Sequence, residues 1–124
     1  MDKLEVILSG FSIHLPSLTL ESHKFIVEES EKPKVYVARA SKHYQVTSQF
    51  NVKNLIVGSG NLYLDENKNL VLNGSSIVYG AVSKEAALKI GSLISKELKK
   101  HDIKVKDIVL DLEGTPNAYW TQIL

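Results

Sequence analysis

The apolar positions of this chain fall into two rhythms. Leu62, Leu64, Leu70 and Leu72 point to one face on either side of the polar run Asp65-Glu66-Asn67-Lys68-Asn69. That is the pattern of a β-hairpin, in which side chains repeat every two residues. From Ser83 the rhythm changes. Ala86, Ala87, Ile90, Leu93, Ile94 and Leu98 recur at helical spacing and predict an amphipathic helix over 83–100. Ser83 is a suitable N-cap, and Glu85 sets negative charge in the first turn. Lys96, Lys99, Lys100 and His101 crowd the last turns, where cations suit exposed carbonyls.

Shorter alternations fill the rest. Leu4, Val6 and Leu8 predict a first strand, broken at Ser9-Gly10. Leu18 and Leu20 alternate after Pro16, and residues 24–28 predict another strand beyond a turn near Ser22 that holds His23. The run Glu28-Glu29-Ser30-Glu31-Lys32-Pro33 reads as a solvated turn, and Val35 and Val37 begin the next strand. Tyr44, Val46, Ser48 and Phe50 then alternate against His43, Gln45, Thr47 and Gln49, which predicts a strand over 44–50 with one polar face. Leu55-Ile56-Val57 leads into Gly58-Ser59-Gly60, where glycine suits a bulge or a close backbone approach. Val105, Ile108 and Leu110 suggest a last strand, and the apolar tail 118–124 is expected to pack on the domain. The elements add up to a single α+β domain over 1–124. Its sheet is mainly antiparallel and is packed by one long helix, 83–100, with room for a second, short helix.

Composition narrows the chemistry. A net charge of +1 over 124 residues gives no electrostatic case for nucleic acid or an anionic membrane. The absence of cysteine excludes disulfides, thiol nucleophiles and cysteine-based metal sites. No apolar run has the length a bilayer demands, and the first fifteen residues mix charges into their apolar positions, so the expectation is a soluble, cytoplasmic protein. His14, His23 and His101 lack a second histidine or carboxylate at ligand spacing, which argues against a metal or other cofactor. His43 differs, because it closes the cationic cluster Arg39-Ala40-Ser41-Lys42-His43-Tyr44, which could favour a phosphate. As a bare pattern it equally fits a polar residue on an open strand face. Gly58-Ser59-Gly60 is not a Walker loop, since no lysine-hydroxyl pair and helix follow it. Asp107, Asp111 and Glu113 fit solvated strand charges as well as a carboxylate pair.

Two stretches carry a family resemblance. Gly58-Ser59-Gly60-Asn61-Leu62, followed by Gly74-Ser75-Ser76-Ile77-Val78-Tyr79-Gly80 and a helix, resembles the Janus/Ocnus family of protein phosphohistidine phosphatases. Leu15-Pro16-Ser17-Leu18-Thr19-Leu20 and Lys24-Phe25-Ile26-Val27 are a weaker echo of the same family. The resemblance implies a metal-independent phosphatase acting on a phosphorylated protein or peptide, with His43 as catalytic histidine. It implies backbone amides around Lys42, His43 and Tyr44 as phosphoryl ligands, with Ser76 and the amide of Val78 opposite and Arg39 as a nearby cation. Neutral imidazole suits such work near physiological pH. The chain departs from the family at Asn61, where the family has an arginine, and in the strand-like residues after His43, where the family's histidine opens a helix. A second resemblance, Val78-Tyr79-Gly80-Ala81-Val82-Ser83-Lys84-Glu85 and the helix, is to TATA-binding-protein-like domains. It implies a non-catalytic binding module, with Gln45, Thr47 and Gln49 on an open sheet face for a protein or nucleic-acid partner.

Overall fold

The computed structural model describes residues 6–20, 23–73 and 82–111. Six strands and two helices follow in the order β1 (Ile7–Ser12), β2 (His23–Glu28), β3 (Lys34–Arg39), α1 (His43–Gln49), β4 (Ile56–Leu64), β5 (Leu70–Asn73), α2 (Lys84–Lys100) and β6 (Ile108–Asp111). The strands form one sheet in the order β1-β3-β2-β4-β5-β6. Its four central strands pair antiparallel, but β1 joins β3 and β6 joins β5 in parallel, so the α+β sheet is mixed. Parallel neighbours need a crossover, and α2 supplies the one between β5 and β6.

The two faces of the sheet have different characters. On one, Phe25, Val27, Val35, Val37, Leu62, Leu64, Leu70 and Leu72 pack against Ala86, Ala87, Ile90, Ile94 and Leu98 of α2. The hairpin residues Leu62, Leu64, Leu70 and Leu72 all share this face, as their alternation predicts. Ser83 caps α2 by accepting a hydrogen bond from the Ala86 amide at 3.1 Å. Glu97, inside the apolar arc near the helix end, is partly exposed and pairs with Lys100 at 2.8 Å. The other face has a smaller apolar cluster, in which Ile26, Ala38, Ala40 and Val46 are buried with Tyr36 and Phe50 against them.

Several expectations need correction. Residues 43–49 are helical, not strand. Tyr44, Val46, Ser48 and Phe50 alternate, yet only Val46 and Phe50, four residues apart, face the sheet, while Tyr44 is 56% exposed. The Gln45 carbonyl Oε1 turns back to accept from the amides of Ser41 and Lys42, which closes the start of the helix. Asn51, at φ 53°, stops it in the left-handed conformation that asparagine tolerates at a helix end. Gln45, Thr47 and Gln49 therefore lie on a helix and do not form an open sheet surface.

β1 runs through Ser9-Gly10 with a register shift there, where the sequence predicts a break. Leu15–Ser17 is a short 3-10 turn and Leu18–Leu20 continue in turns, because Pro16 suits the first turn of such a helix and withholds an amide from a ladder. Glu28 belongs to β2 and is buried: its carboxylate accepts from the Tyr36 hydroxyl at 2.7 Å and the Asn54 amide at 3.2 Å. Burial, with the bonded carboxylate of Glu28, pushes the Tyr36 phenol up to about 12. Expectations for Leu4, Ser22, the segment 74–80, Glu113 and the tail 118–124 lie outside the described residues. No described helix is long and apolar enough to cross a membrane.

Ile94 is fully buried beneath the sheet. Ile94→Ala is expected to lower the unfolding free energy by roughly 2–5 kcal/mol, the range for truncating a packed aliphatic core residue. Leu88→Ala, on the exposed side of α2, should change it by less than about 0.5 kcal/mol. Urea titration of the two variants checks this, and equal midpoints would show that the buried face is misassigned.

Candidate functional site

α1 crosses β2 and β3, and its first residue, His43, reaches β4. The His43 Nε2 lies 2.9 Å from the Gly60 carbonyl oxygen. A carbonyl only accepts, so Nε2 carries the proton and Nδ1 keeps its lone pair. Burial holds the imidazole below its ordinary pKa; the Gly60 bond opposes this, and the Lys24 ammonium adds to it. The ring is therefore neutral at pH 7, with one nitrogen anchored and the other a base.

Gly60 is where this contact becomes possible. A Cβ there would stand 2.5 Å from the Phe25 ring and would strike the Asn73 carbonyl oxygen. The close approach anticipated for the glycine pair is thus met, and the register shift falls one step earlier, between Gly58 and Ile56 on β4. Gly58 likewise has no room, since a Cβ would lie 2.6 Å from Val82.

Beyond Gly60 the α1 face of the sheet becomes polar. Lys24 of β2 pairs in register with Asn61 of β4, which in turn pairs with Asn73 of β5. The side chains follow the register: Lys24 Nζ donates to Asn61 Oδ1 at 2.5 Å, and Asn61 Nδ2 donates to Asn73 Oδ1 at 2.8 Å. Ser59, on the same face, is fully buried. Lys24 thus supplies a cation beside Asn61. Sequence reading missed it, because the register that sets Lys24 against Asn61 is a tertiary fact.

The other named residues are divided between the faces. Lys42 is the N-cap of α1 with an exposed side chain, and its amide is already bonded to Gln45, so it is not available to a phosphoryl group. The amides of His43 and Tyr44, at the opening of the helix, have no partner within it. Arg39 follows Val35 and Val37 in the alternation of β3, which sets it on the α2 face, opposite the His43 cluster and next to His23. Ser76 and Val78 lie outside the described residues. No group of three or more His, Asp or Glu side chains that could hold a metal occurs among the described residues.

His23 is the residue that strand register relocates most. It begins β2 and is fully buried, where the sequence suggests a turn. The His14 amide donates to its Nε2 at 3.2 Å, so the proton sits on Nδ1, which has no partner among the described residues. Burial, then the Arg39 charge and then His14, pull its pKa down to about 4.

Two outcomes follow from these placements. Gly60→Ala should cost roughly 1–3 kcal/mol through overpacking against Phe25 and Asn73, read as a lowered denaturant midpoint. An unchanged midpoint would contradict the packing. His23 binds its proton more weakly folded than unfolded, so its contribution is present above about 6.5 and is lost as pH falls towards 4. That interval is worth roughly 3 kcal/mol. Unfolding free energies measured from pH 4 to 7 should rise with pH, and His23→Gln should flatten the rise; parallel slopes would refute the assignment.

No family model matches this chain, and no curated protein or solved structure is significantly similar to it.

Proposed function

We propose that this chain is a phosphohistidine phosphatase of the Janus/Ocnus type, acting on phosphorylated protein or peptide side chains with His43 as its catalytic residue. The observation that carries the reading is the anchoring of a neutral His43 at the opening of α1 by the Gly60 carbonyl. The helix after His43 removes one of the chain's departures from the family, and Lys24 brings a cation to Asn61, the site of another. The Ser76 and Val78 assignments rest on the sequence motif Gly74-Ser75-Ser76-Ile77-Val78-Tyr79-Gly80 alone.

The chemistry needs little more. Nδ1 of His43 can take a proton from an attacking water or take the phosphoryl group itself. In the first course that proton passes to the leaving nitrogen as the P–N bond breaks. In the second the leaving nitrogen is protonated from solvent, and water then cleaves the new bond to Nδ1, which releases phosphate and restores the imidazole. The amides of His43 and Tyr44 and the Lys24 ammonium are donors suited to the equatorial oxygens, where charge is spread in a loose phosphoryl-transfer transition state.

Purified protein should release phosphate from a phosphohistidine peptide, with chelator having no effect. His43→Ala should abolish release while the protein remains folded, as read by a cooperative unfolding transition. Because the working form of His43 is neutral and its pKa lies below the ordinary 6.5, the acid limb of the rate should fall below pH 6.5. Wild type as inert as His43→Ala would sink the phosphatase reading and leave a non-catalytic binding module as the better account.

A further inference from the structure

Asn61 is where this chain and the family part, and its side chain is tied to both neighbouring strands. Its residue is 9% exposed, and its amide is committed at both ends. Oδ1 accepts from the Lys24 ammonium, and Nδ2 donates to Asn73 Oδ1. The order cannot be reversed, since a flipped amide would set its NH₂ against the ammonium, donor to donor. Lys24 at Oδ1 and Asn73 at Nδ2 therefore orient the Asn61 amide together. A guanidinium here would accept nothing and would stand as a second cation against Lys24. A neutral amide instead fastens the cation of the neighbouring strand.

The position of that fastening matters. Gly60, the residue before Asn61, anchors His43, and Lys24 is near enough to act on the His43 ring. Other titratable or charged groups on the face are Glu28 of β2, Lys34 and Tyr36 of β3, Tyr63 of β4 and, in register with Asn73, Asp111 of β6, with Lys42 and Tyr44 at the start of α1. Glu28 and Tyr36 are bonded to each other, and Tyr36 packs on Phe50 at the opposite end of α1, with ring centroids 5.5 Å apart. Lys24 is thus the charge that Asn61 governs.

We propose that Asn61 is the positioning residue of this site: its amide, oriented by Asn73, holds the Lys24 ammonium beside His43 as the fixed cation that receives the anionic group of the substrate. This rests on the phosphatase reading for the identity of the anion, a phosphoryl group, but the placement of the charge can be measured without turnover. Lys24 in this arrangement is a donor held before substrate arrives, so less side-chain freedom is lost on binding.

The test is a double-mutant cycle read by NMR titration of the His43 imidazole in wild type, Asn61→Leu, Lys24→Gln and the pair. Lys24→Gln removes a repelling charge and should raise the His43 pKa. Asn61→Leu changes no charge, yet by releasing Lys24 it should raise the same pKa, and in the Lys24→Gln background it should add nothing. Asn73→Ala, which leaves Asn61 in place but unoriented, should shift it in the same direction by less, and serves if Asn61→Leu does not fold. A His43 titration unmoved by both Asn61→Leu and Asn73→Ala, or moved as far with Lys24 absent as present, overturns the proposal. With active protein, Asn61→Leu should raise KM for a phosphohistidine peptide about ten-fold, with a smaller change in kcat; unchanged KM would also overturn it. Wild type that hydrolyses nothing defeats only the phosphatase reading, because the His43 cycle still decides what Asn61 does.

Discussion

Close packing around the bare Cα of Gly60 is the contact that the rest of the site depends on. Phe25 and the Asn73 carbonyl occupy the space a side chain would need, while the carbonyl of Gly60 accepts a hydrogen bond from His43 Nε2. One residue thus serves the core on one face of the sheet and the anchored imidazole on the other. Any side chain there would have to push away Phe25, a fully buried ring of the α2-side core. The registers of β2 and β5 on β4 set Lys24, Asn61 and Asn73 in a row at the next step. The polar row is a by-product of strand pairing that the apolar face enforces, because a one-residue slip would turn Leu62 and Leu64 out of the core.

This division of labour accounts for how polar groups are tolerated so near the sheet centre. The α2 face provides the apolar burial, and the α1 face carries Lys24, Ser59 and Asn61, each with a bonding partner. A satisfied buried polar group adds modestly to stability, whereas an orphaned one costs a few kcal/mol. The exception is informative. His23 Nδ1 is buried without a partner among the described residues, and burial, with the Arg39 charge beside it, makes the imidazole resist protonation.

What could be read from sequence followed the length and regularity of each element. α2 and the β4–β5 hairpin were legible because many apolar residues repeat at one period over a sustained stretch. α1 was not, since a seven-residue segment needs only Val46 and Phe50 inside, and that spacing fits a strand as well as a helix. Better clues lay in its ends, in Gln45 reaching back and in Asn51 closing the last turn. His43 could be singled out by its cationic surroundings, but the cation that acts on its ring, Lys24, is nineteen positions earlier in the numbering and meets it only through the sheet. Arg39 misled for the converse reason. It lies near His43 in sequence, and the alternation of β3 turns it to the other face.

The mixed sheet also dictates an order of assembly. The pairs β2–β3 and β4–β5 are joined by the short loops 29–33 and 65–69, so their closure costs little chain entropy. Both outer strands are different: β1 must find β3 across the whole of β2, and β6 must find β5 after α2 has formed. Folding should therefore spread from the antiparallel centre to the parallel margins, with the non-local margins setting the rate. The anchoring of His43 on Gly60 needs only β4 and α1, so this contact could form within the early centre, before either flank has closed.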